Sequence, residues 1–208
     1  KVDVSTLSTY EELASTQWKG RLCIRSSGSV YNQSLVASMI EVNGIKKTET
    51  WARGLVENFA RPPTGGDTDL LKATAAGQCD IALANTYYLG RLINSKISSD
   101  RKVAQELEVF WPNQGPGDRG VHVNVSGAGL TKFAKNKKEA ILLLEFLVTE
   151  ESQKWYAEVN NEYPVVVGAE ISDTLKNFGH FKADNINLTI LGVNNPAAVK
   201  LMDRAGWR

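Results

Sequence analysis

The sequence predicts an α/β fold with a largely parallel sheet. Short runs with strand-like composition alternate along the chain with longer stretches in which apolar residues recur at helical spacing. With 208 residues, 42% of them hydrophobic, the chain is long enough to bury a large core without metal or disulfide support. Ligands of such sheets bind beyond the carboxyl ends of the strands. The loops that follow the predicted strands are therefore the first candidates for a site.

Local signals delimit the individual elements. Ser8 with Glu11 three residues later predicts a capping box and a helix start, and Asn43-Gly44 predicts a helix end. Asp67 is expected to cap the next helix, which Gly77 closes. The predicted strands are 20–25, 79–84, 106–111 and 121–125. The predicted helices after the first turn are 30–42, 48–59, 67–76, a segment ending at 93, 139–149, 152–160 and 194–205.

Composition excludes several classes of protein. Lys and Arg number 24 against 23 Asp and Glu, so the net charge of +1 is not typical of a nucleic-acid-binding protein. The longest apolar run, 140–144, is far shorter than the ~20 residues that span a bilayer, so no membrane-spanning helix is predicted. Two cysteines cannot build a four-ligand zinc site. Because the sequence starts without Met or a signal peptide, we expect a processed or truncated end there.

Three tyrosines are the strongest candidates for binding chemistry. Tyr87 and Tyr88 are adjacent and follow the predicted strand 79–84, whereas Tyr31 follows the first strand and a Ser-Gly-rich turn. Three phenols in one crevice would suit a hard, highly charged cation, which favours oxygen donors and can stabilise phenolates. The spacing alone is more typical of three half-buried tyrosines that pack through their rings.

The remaining polar residues give no catalytic constellation. The turn 26–29 lacks a nucleophile elbow and a histidine base, and His122 and His180 are each more typical of structural residues. Arg25, at the end of the first strand, is either a surface charge or a cation beside phenolates or an anion. We therefore predict that the protein is not an enzyme.

Two long motifs, over 23–35 and 79–91, make the sequence resemble a known family, and shorter ones support the resemblance. The shorter motifs lie at 121–129, 145–153, 161–164 and 201–207. Along essentially its whole length the chain resembles the periplasmic ferric-iron-binding proteins of bacterial ABC transporters, the bacterial transferrins, and in particular their cyanobacterial iron-uptake branch. The resemblance implies the type II periplasmic solute-binding-protein fold, here mainly the second lobe with a mixed or parallel sheet, plus C-terminal helices of the first lobe.

The resemblance also implies an organisation and a set of site residues. We expect a hinge segment over 1–10, a ligand-binding α/β lobe over 11–125, and a hinge crossing with a helical part over 126–208. Fe³⁺ would be bound by the three phenolates, and Arg25 would lie beside them as a cation. Positions at which relatives hold a synergistic anion correspond to Ser27, Gly28 and Asn85. Asp67 stands where some relatives carry an amide, so we expect water or a small anion there rather than phosphate.

The function implied is ferric-ion binding in the periplasm and delivery to an inner-membrane ABC-transporter permease, without nucleic acid as a partner. The sequence lacks the family's N-terminal segment, which supplies half of the first lobe and a further iron ligand; His122 and His180 match no ligand position. Two alternatives stay open: a solute-binding protein for another small anion or cation, and a fragment with partial iron binding.

The two cysteines are expected to lie near each other in this fold. Cys23 and Cys79 each come just before one of the implied ligand loops. A disulfide in an oxidising periplasm and a pair of buried thiols are both compatible with the sequence.

Overall fold

Helices surround a small parallel sheet in the computed structural model, which describes residues 2–208. The sheet pairs β1 (Leu22–Cys23) with β2 (Ile81–Ala82) in parallel. The helices are α1 (Val30–Glu57), α2 (Asp67–Ala75), α3 (Thr86–Ile93), α4 (Ser98–Gln105), α5 (Lys137–Leu147), α6 (Glu150–Val159), α7 (Asp173–Asn177) and α8 (Thr189–Arg204). Three short 3₁₀ helices precede β1, over Val4–Thr6, Glu11–Ala14 and Thr16–Trp18. The predicted α/β class is confirmed, with a smaller sheet than expected.

The long helix α1 contains the break that the sequence predicts. Gly44 has φ 76° and ψ 159°, which are not helical angles, so α1 bends there instead of continuing straight. Glycine adopts a positive φ at little cost because it has no Cβ. The predicted pair of helices is therefore one element with a kink.

Both predicted N-terminal caps are wrong. Gly66 is the residue before α2, and its backbone N–H donates a hydrogen bond to the side chain of Asp69 at 2.8 Å. Asp67 is the first helical residue, and its buried carboxylate pairs with Arg25 instead of capping. No capping box forms at Ser8, because its carbonyl accepts from the N–H of Asn113 at 2.9 Å, which holds this segment in a tertiary contact.

Two predicted strands do not form as expected. Residues 106–111 pair with no strand in the described part of the chain; instead Trp111 donates from Nε1 to the carbonyl of Phe178 at 2.7 Å and stacks on Phe181. Of 121–125, Val121 alone forms a parallel bridge, to Ala183. A β-rich composition fits many half-buried surfaces and does not supply a pairing partner. Helices α4 and α7 were not predicted.

The main core lies between α1, α8 and the first strand. Its largest fully buried side chains include Trp18, Leu22, Met39, Leu201 and Trp207. A second cluster packs under α3 around Leu89, Leu92 and Leu175. Trp207 also donates from Nε1 to the carbonyl of Arg25 at 2.9 Å, so the C-terminal end of the chain supports the loop after β1.

A disulfide joins the segments that lead into the two strand ends. Cys23 in β1 and Cys79 just before β2 are bonded, with their Cα atoms 5.8 Å apart. Both cysteines are buried. Within residues 2–208, none of the helices combines the length and the apolar character that crossing a membrane requires.

Candidate metal centre

The structure brings the three predicted tyrosines together. The hydroxyl of Tyr87 donates to the hydroxyl of Tyr31 across 2.9 Å, although the two residues are 56 positions apart. The rings of Tyr87 and Tyr88 lie against each other with centroids 4.4 Å apart. Three phenol oxygens are therefore available on one wall of the molecule.

Parallel pairing explains why the phenols meet. β1 and β2 are in register, with Cys23 opposite Ala82, so the loops that follow them run side by side. Tyr31 is the second residue of α1, and Tyr87 is the second residue of α3. Both tyrosines thus belong to the first turn of a helix, where the backbone dipoles favour negative charge.

The surroundings of Tyr87 and Tyr88 raise the pKa of both phenols. Burial raises the pKa of Tyr87, and its hydrogen bonds with Tyr31 and Tyr88 raise it further, while Asn85 lowers it. Burial also raises the pKa of Tyr88, and the charge of Asp67 acts in the same direction. Ionising these groups therefore requires a strongly charged cation to compensate.

Two arginines lie over the tyrosine rings. The Arg25 guanidinium pairs with Asp67 at 2.9 Å and lies 5.7 Å from the Tyr31 ring centroid. Arg91 lies 5.0 Å and 5.4 Å from the ring centroids of Tyr87 and Tyr88. Arg91 was not among the predicted site residues. Its position in the sequence indicates the contact, because Arg91 follows Tyr87 by four residues and Tyr88 by three, which places all three on one helix face.

Of the residues expected to face an anion, Asn85 lies next to a phenol. Asn85 donates from its backbone to Asp67 Oδ1 at 3.3 Å, and its side-chain Nδ2 lies 3.5 Å from the Tyr87 hydroxyl. Ser27 and Gly28 form the turn that leads into α1, where the carbonyl of Ser27 accepts from Gln33 at 2.9 Å. Asp67 remains paired with Arg25, so its charge is partly neutralised there.

The two histidines take no part in the tyrosine cluster. His122 Nε2 and Ser34 Oγ are 2.9 Å apart, and His180 is exposed elsewhere. Burial lowers the pKa of His122 to about 4, as does the charge of Arg119, while the Asn124 side chain opposes both. Among residues 2–208, no group of three or more His, Cys, Asp or Glu side chains is arranged to hold a metal ion. The phenols are thus the candidate donors.

A cleft opens beside Tyr31 and Tyr87, two of the three tyrosines. Its volume is 1530 Å³, and its walls include Tyr31, Asp67, Asn85, Tyr87 and His122. This volume exceeds the 300–1,000 Å³ of an ordinary small-molecule pocket. It leaves ample room for a small organic anion beside a metal ion.

Three known proteins that are similar in sequence or fold are described by iron uptake or iron binding. Residues 2–183 match the family model of the bacterial extracellular solute-binding proteins. The chain is 48% identical to Iron uptake protein A1 of Synechocystis over all 208 residues, which is 57% of that protein. It superposes on the Trichodesmium protein IdiA (FutA) in complex with iron and citrate with a TM-score of 0.95 and 54% identity, covering 65% of that chain.

A second similar structure comes from another bacterium. The ferric binding protein from Campylobacter jejuni superposes with a TM-score of 0.95 and 39% identity. The match covers the whole of this chain and 65% of that protein. The chain thus spans between about half and two thirds of the length of the relatives it matches.

Proposed function

This chain belongs to the bacterial extracellular solute-binding protein family, and on that basis we propose that it binds ferric iron through Tyr31, Tyr87 and Tyr88. The observation that carries the proposal is the 2.9 Å contact between the Tyr31 and Tyr87 hydroxyls, beside which the Tyr88 ring packs. Phenol oxygens are hard donors that suit a trivalent ion.

The charges support a trivalent cation. Three phenolates together neutralise a +3 ion locally, which offsets much of the cost of holding charge in a partly dry cleft. Each ligating phenol must lose its proton, so binding releases protons and affinity falls as the pH falls. Reduction to Fe²⁺ weakens binding, because a divalent ion gains less from three anionic ligands.

The relatives support iron accompanied by a small anion. One is named an iron uptake protein, and the Trichodesmium structure contains iron and citrate. Ser27, Gly28 and Asn85 would contact such an anion, and Arg25 would contribute positive charge. The carboxylate of Asp67 disfavours a bound phosphate at this position.

The wider role follows from the family. We place the protein in the periplasm, where it would deliver iron to an ABC-transporter permease without carrying out a reaction. Further iron ligands would come from the part of the relatives' length that this chain does not span. The division into 1–10, 11–125 and 126–208 is the organisation we propose for the described chain.

Titration with ferric citrate tests the proposal. Phenolate ligation gives a visible phenolate-to-iron absorption band, and we expect this band with the wild-type chain and its loss in Tyr87→Phe. Tyr163→Phe is the matched control, because the Tyr163 hydroxyl donates to the carbonyl of Leu175, outside the tyrosine cluster. The proposal fails if the wild-type chain gives no band, or if Tyr87→Phe gives the same band. Citrate binding without iron would support instead a binding protein for small anions.

A further inference from the structure

We propose that Asn124 is a positioning residue for Tyr87, acting through the side chain of Asn85. This inference rests on the proposed iron-binding function, since it concerns the same phenol. Asn124 donates from Nδ2 to Asn85 Oδ1 at 3.0 Å. The other end of the Asn85 carboxamide, Nδ2, lies 3.5 Å from the Tyr87 hydroxyl.

The two ends of a carboxamide differ in what they offer a phenolate. The oxygen is an acceptor, whereas the NH₂ group is a donor. Because Asn124 occupies Oδ1 of Asn85, the NH₂ group is the end that faces Tyr87. A reversed Asn85 amide would bring a carbonyl oxygen against the phenolate and repel it.

The backbone of Asn85 does not determine which end of its carboxamide faces Tyr87. Its N–H donates to the buried carboxylate of Asp67 at 3.3 Å, which fixes the end of the loop before α3. Asn124 is then the neighbour that selects the orientation of the amide.

Asn124 lies on a segment, here called the strap, that contacts both α1 and the loop before α3. The strap runs over 121–124, and its first residue exchanges backbone hydrogen bonds of 2.8 Å with Lys182 and Asp184. The next residue, His122, contacts Ser34 at 2.9 Å, and Ser34 lies one turn after Tyr31 on α1. The strap therefore braces α1 on one side and the loop before α3 on the other.

The Asn124 side chain is exposed, so its hydrogen bond contributes little to folding. Its effect should be visible at the metal instead. Asn124→Leu keeps the size of the side chain and removes the donor. We expect ferric affinity, measured by competition with citrate, to fall about three- to tenfold, as for the loss of one hydrogen bond. We also expect the phenolate-to-iron band to move, with an unchanged urea unfolding midpoint.

A double-mutant cycle separates positioning from other effects. In an Asn85→Ala background, Asn124→Leu should cause no further loss, because the amide through which it acts is gone. The matched control is Asn136→Leu, since Asn136 is exposed and makes no side-chain cap. Unchanged affinity and band in Asn124→Leu, or an equal loss in the Asn85→Ala background, would overturn the inference.

An iron-free measurement distinguishes this inference from the proposed function. In the ¹⁵N NMR spectrum of the free chain, Asn124→Leu should shift the side-chain NH₂ resonances of Asn85, whereas Asn136→Leu should not. Unmoved resonances would overturn the positioning role even if the wild-type chain binds iron. A wild-type chain without an iron band overturns the proposed function, and with it the role at the metal, whatever the resonances do.

Discussion

His122 is the residue that should make the stability of this chain depend on acidity. Its folded pKa is about 4, against 6.5 for an unperturbed histidine, because burial and the charge of Arg119 disfavour the imidazolium. Between pH 4 and pH 6.5, His122 is protonated in the unfolded chain and neutral in the folded chain. The stabilisation is complete above pH 6.5 and is lost as the pH falls towards 4, to a maximum of about 3 kcal/mol.

Urea unfolding between pH 4 and pH 7 measures this dependence. His122→Gln should flatten the slope of the free energy of unfolding against pH over this range. His180→Gln is the control, since His180 is exposed and should leave the slope as in the wild type. Equal slopes for wild type and His122→Gln would show that another group is responsible.

Arg25 should matter for stability as well as for the phenols. Its partner Asp67 has a side chain only 1% exposed, so Arg25→Met leaves a buried carboxylate without its cation. Because the Arg25 side chain is itself 29% exposed, we expect a loss of about 2–3 kcal/mol, below the range for fully buried pairs. Chemical denaturation measures it, and adding Asp67→Leu should recover most of the loss. A double variant no more stable than Arg25→Met would contradict the ion-pair explanation.

At this scale, short-range pattern identified some side chains of the candidate site and missed others. Tyr31, Tyr87 and Tyr88 could be selected because each follows a predicted strand. Arg91 was detectable from its helical spacing. Asn124 was not, because its contact with Asn85 joins two residues 39 positions apart and no local pattern encodes it.

At the scale of elements, the same spacing between a cysteine of the disulfide and a tyrosine occurs on two chain segments. Tyr31 follows Cys23 by eight residues, and Tyr87 follows Cys79 by eight. Two chain segments of equal sequence length thus start from a covalent bond and end at a pair of hydroxyls 2.9 Å apart. The bond fixes the relative position of the segments at their origin, so the tyrosines meet at their ends.

Removing the disulfide should loosen both the fold and the site. The cysteines are 56 residues apart, a loop whose closure is worth about 4 kcal/mol in the chain-entropy account. Cys23→Ser with Cys79→Ser should lower the free energy of unfolding by up to about that amount and weaken ferric binding. Urea unfolding measures the first effect, and wild-type protein reduced with a thiol should behave alike. Two free thiols titrated in unreduced, denatured wild-type protein would contradict the bond itself.

Elements were predictable where the sequence carries its own boundary signals. The kink at Gly44 is such a local property of the backbone, whereas the cap expected at Asp67 is replaced by an ion pair with Arg25. The segment 106–111 has strand-like composition, yet its large rings pack against residues around 178–181, so tertiary contact decided its conformation. Ser8 failed as a cap for the same reason, since Asn113 binds that segment from over a hundred positions away.

At the scale of the whole molecule, α5 is unusual for an amphipathic helix. None of its residues is buried, although the sequence predicts an apolar stripe. Its exposed apolar side chains are Ile141, Leu142, Leu143 and Phe146. Periodicity could predict the helix, but not what covers it, because that depends on which chain segments are present. This chain spans under two thirds of the length of its similar proteins.

The α5 face should therefore bind an apolar dye. Contiguous apolar patches are rare on the surface of monomeric proteins, and such surfaces bind 1-anilinonaphthalene-8-sulfonate with increased fluorescence. We expect the native chain to show this fluorescence and Leu143→Glu with Phe146→Glu to reduce it at least twofold, without a change in far-ultraviolet circular dichroism. Ile97→Glu is the control, since Ile97 is equally exposed but lies before α4. Fluorescence that persists in the double variant would mean that the dye occupies the 1530 Å³ cleft beside Tyr31 and Tyr87, and citrate should then displace it.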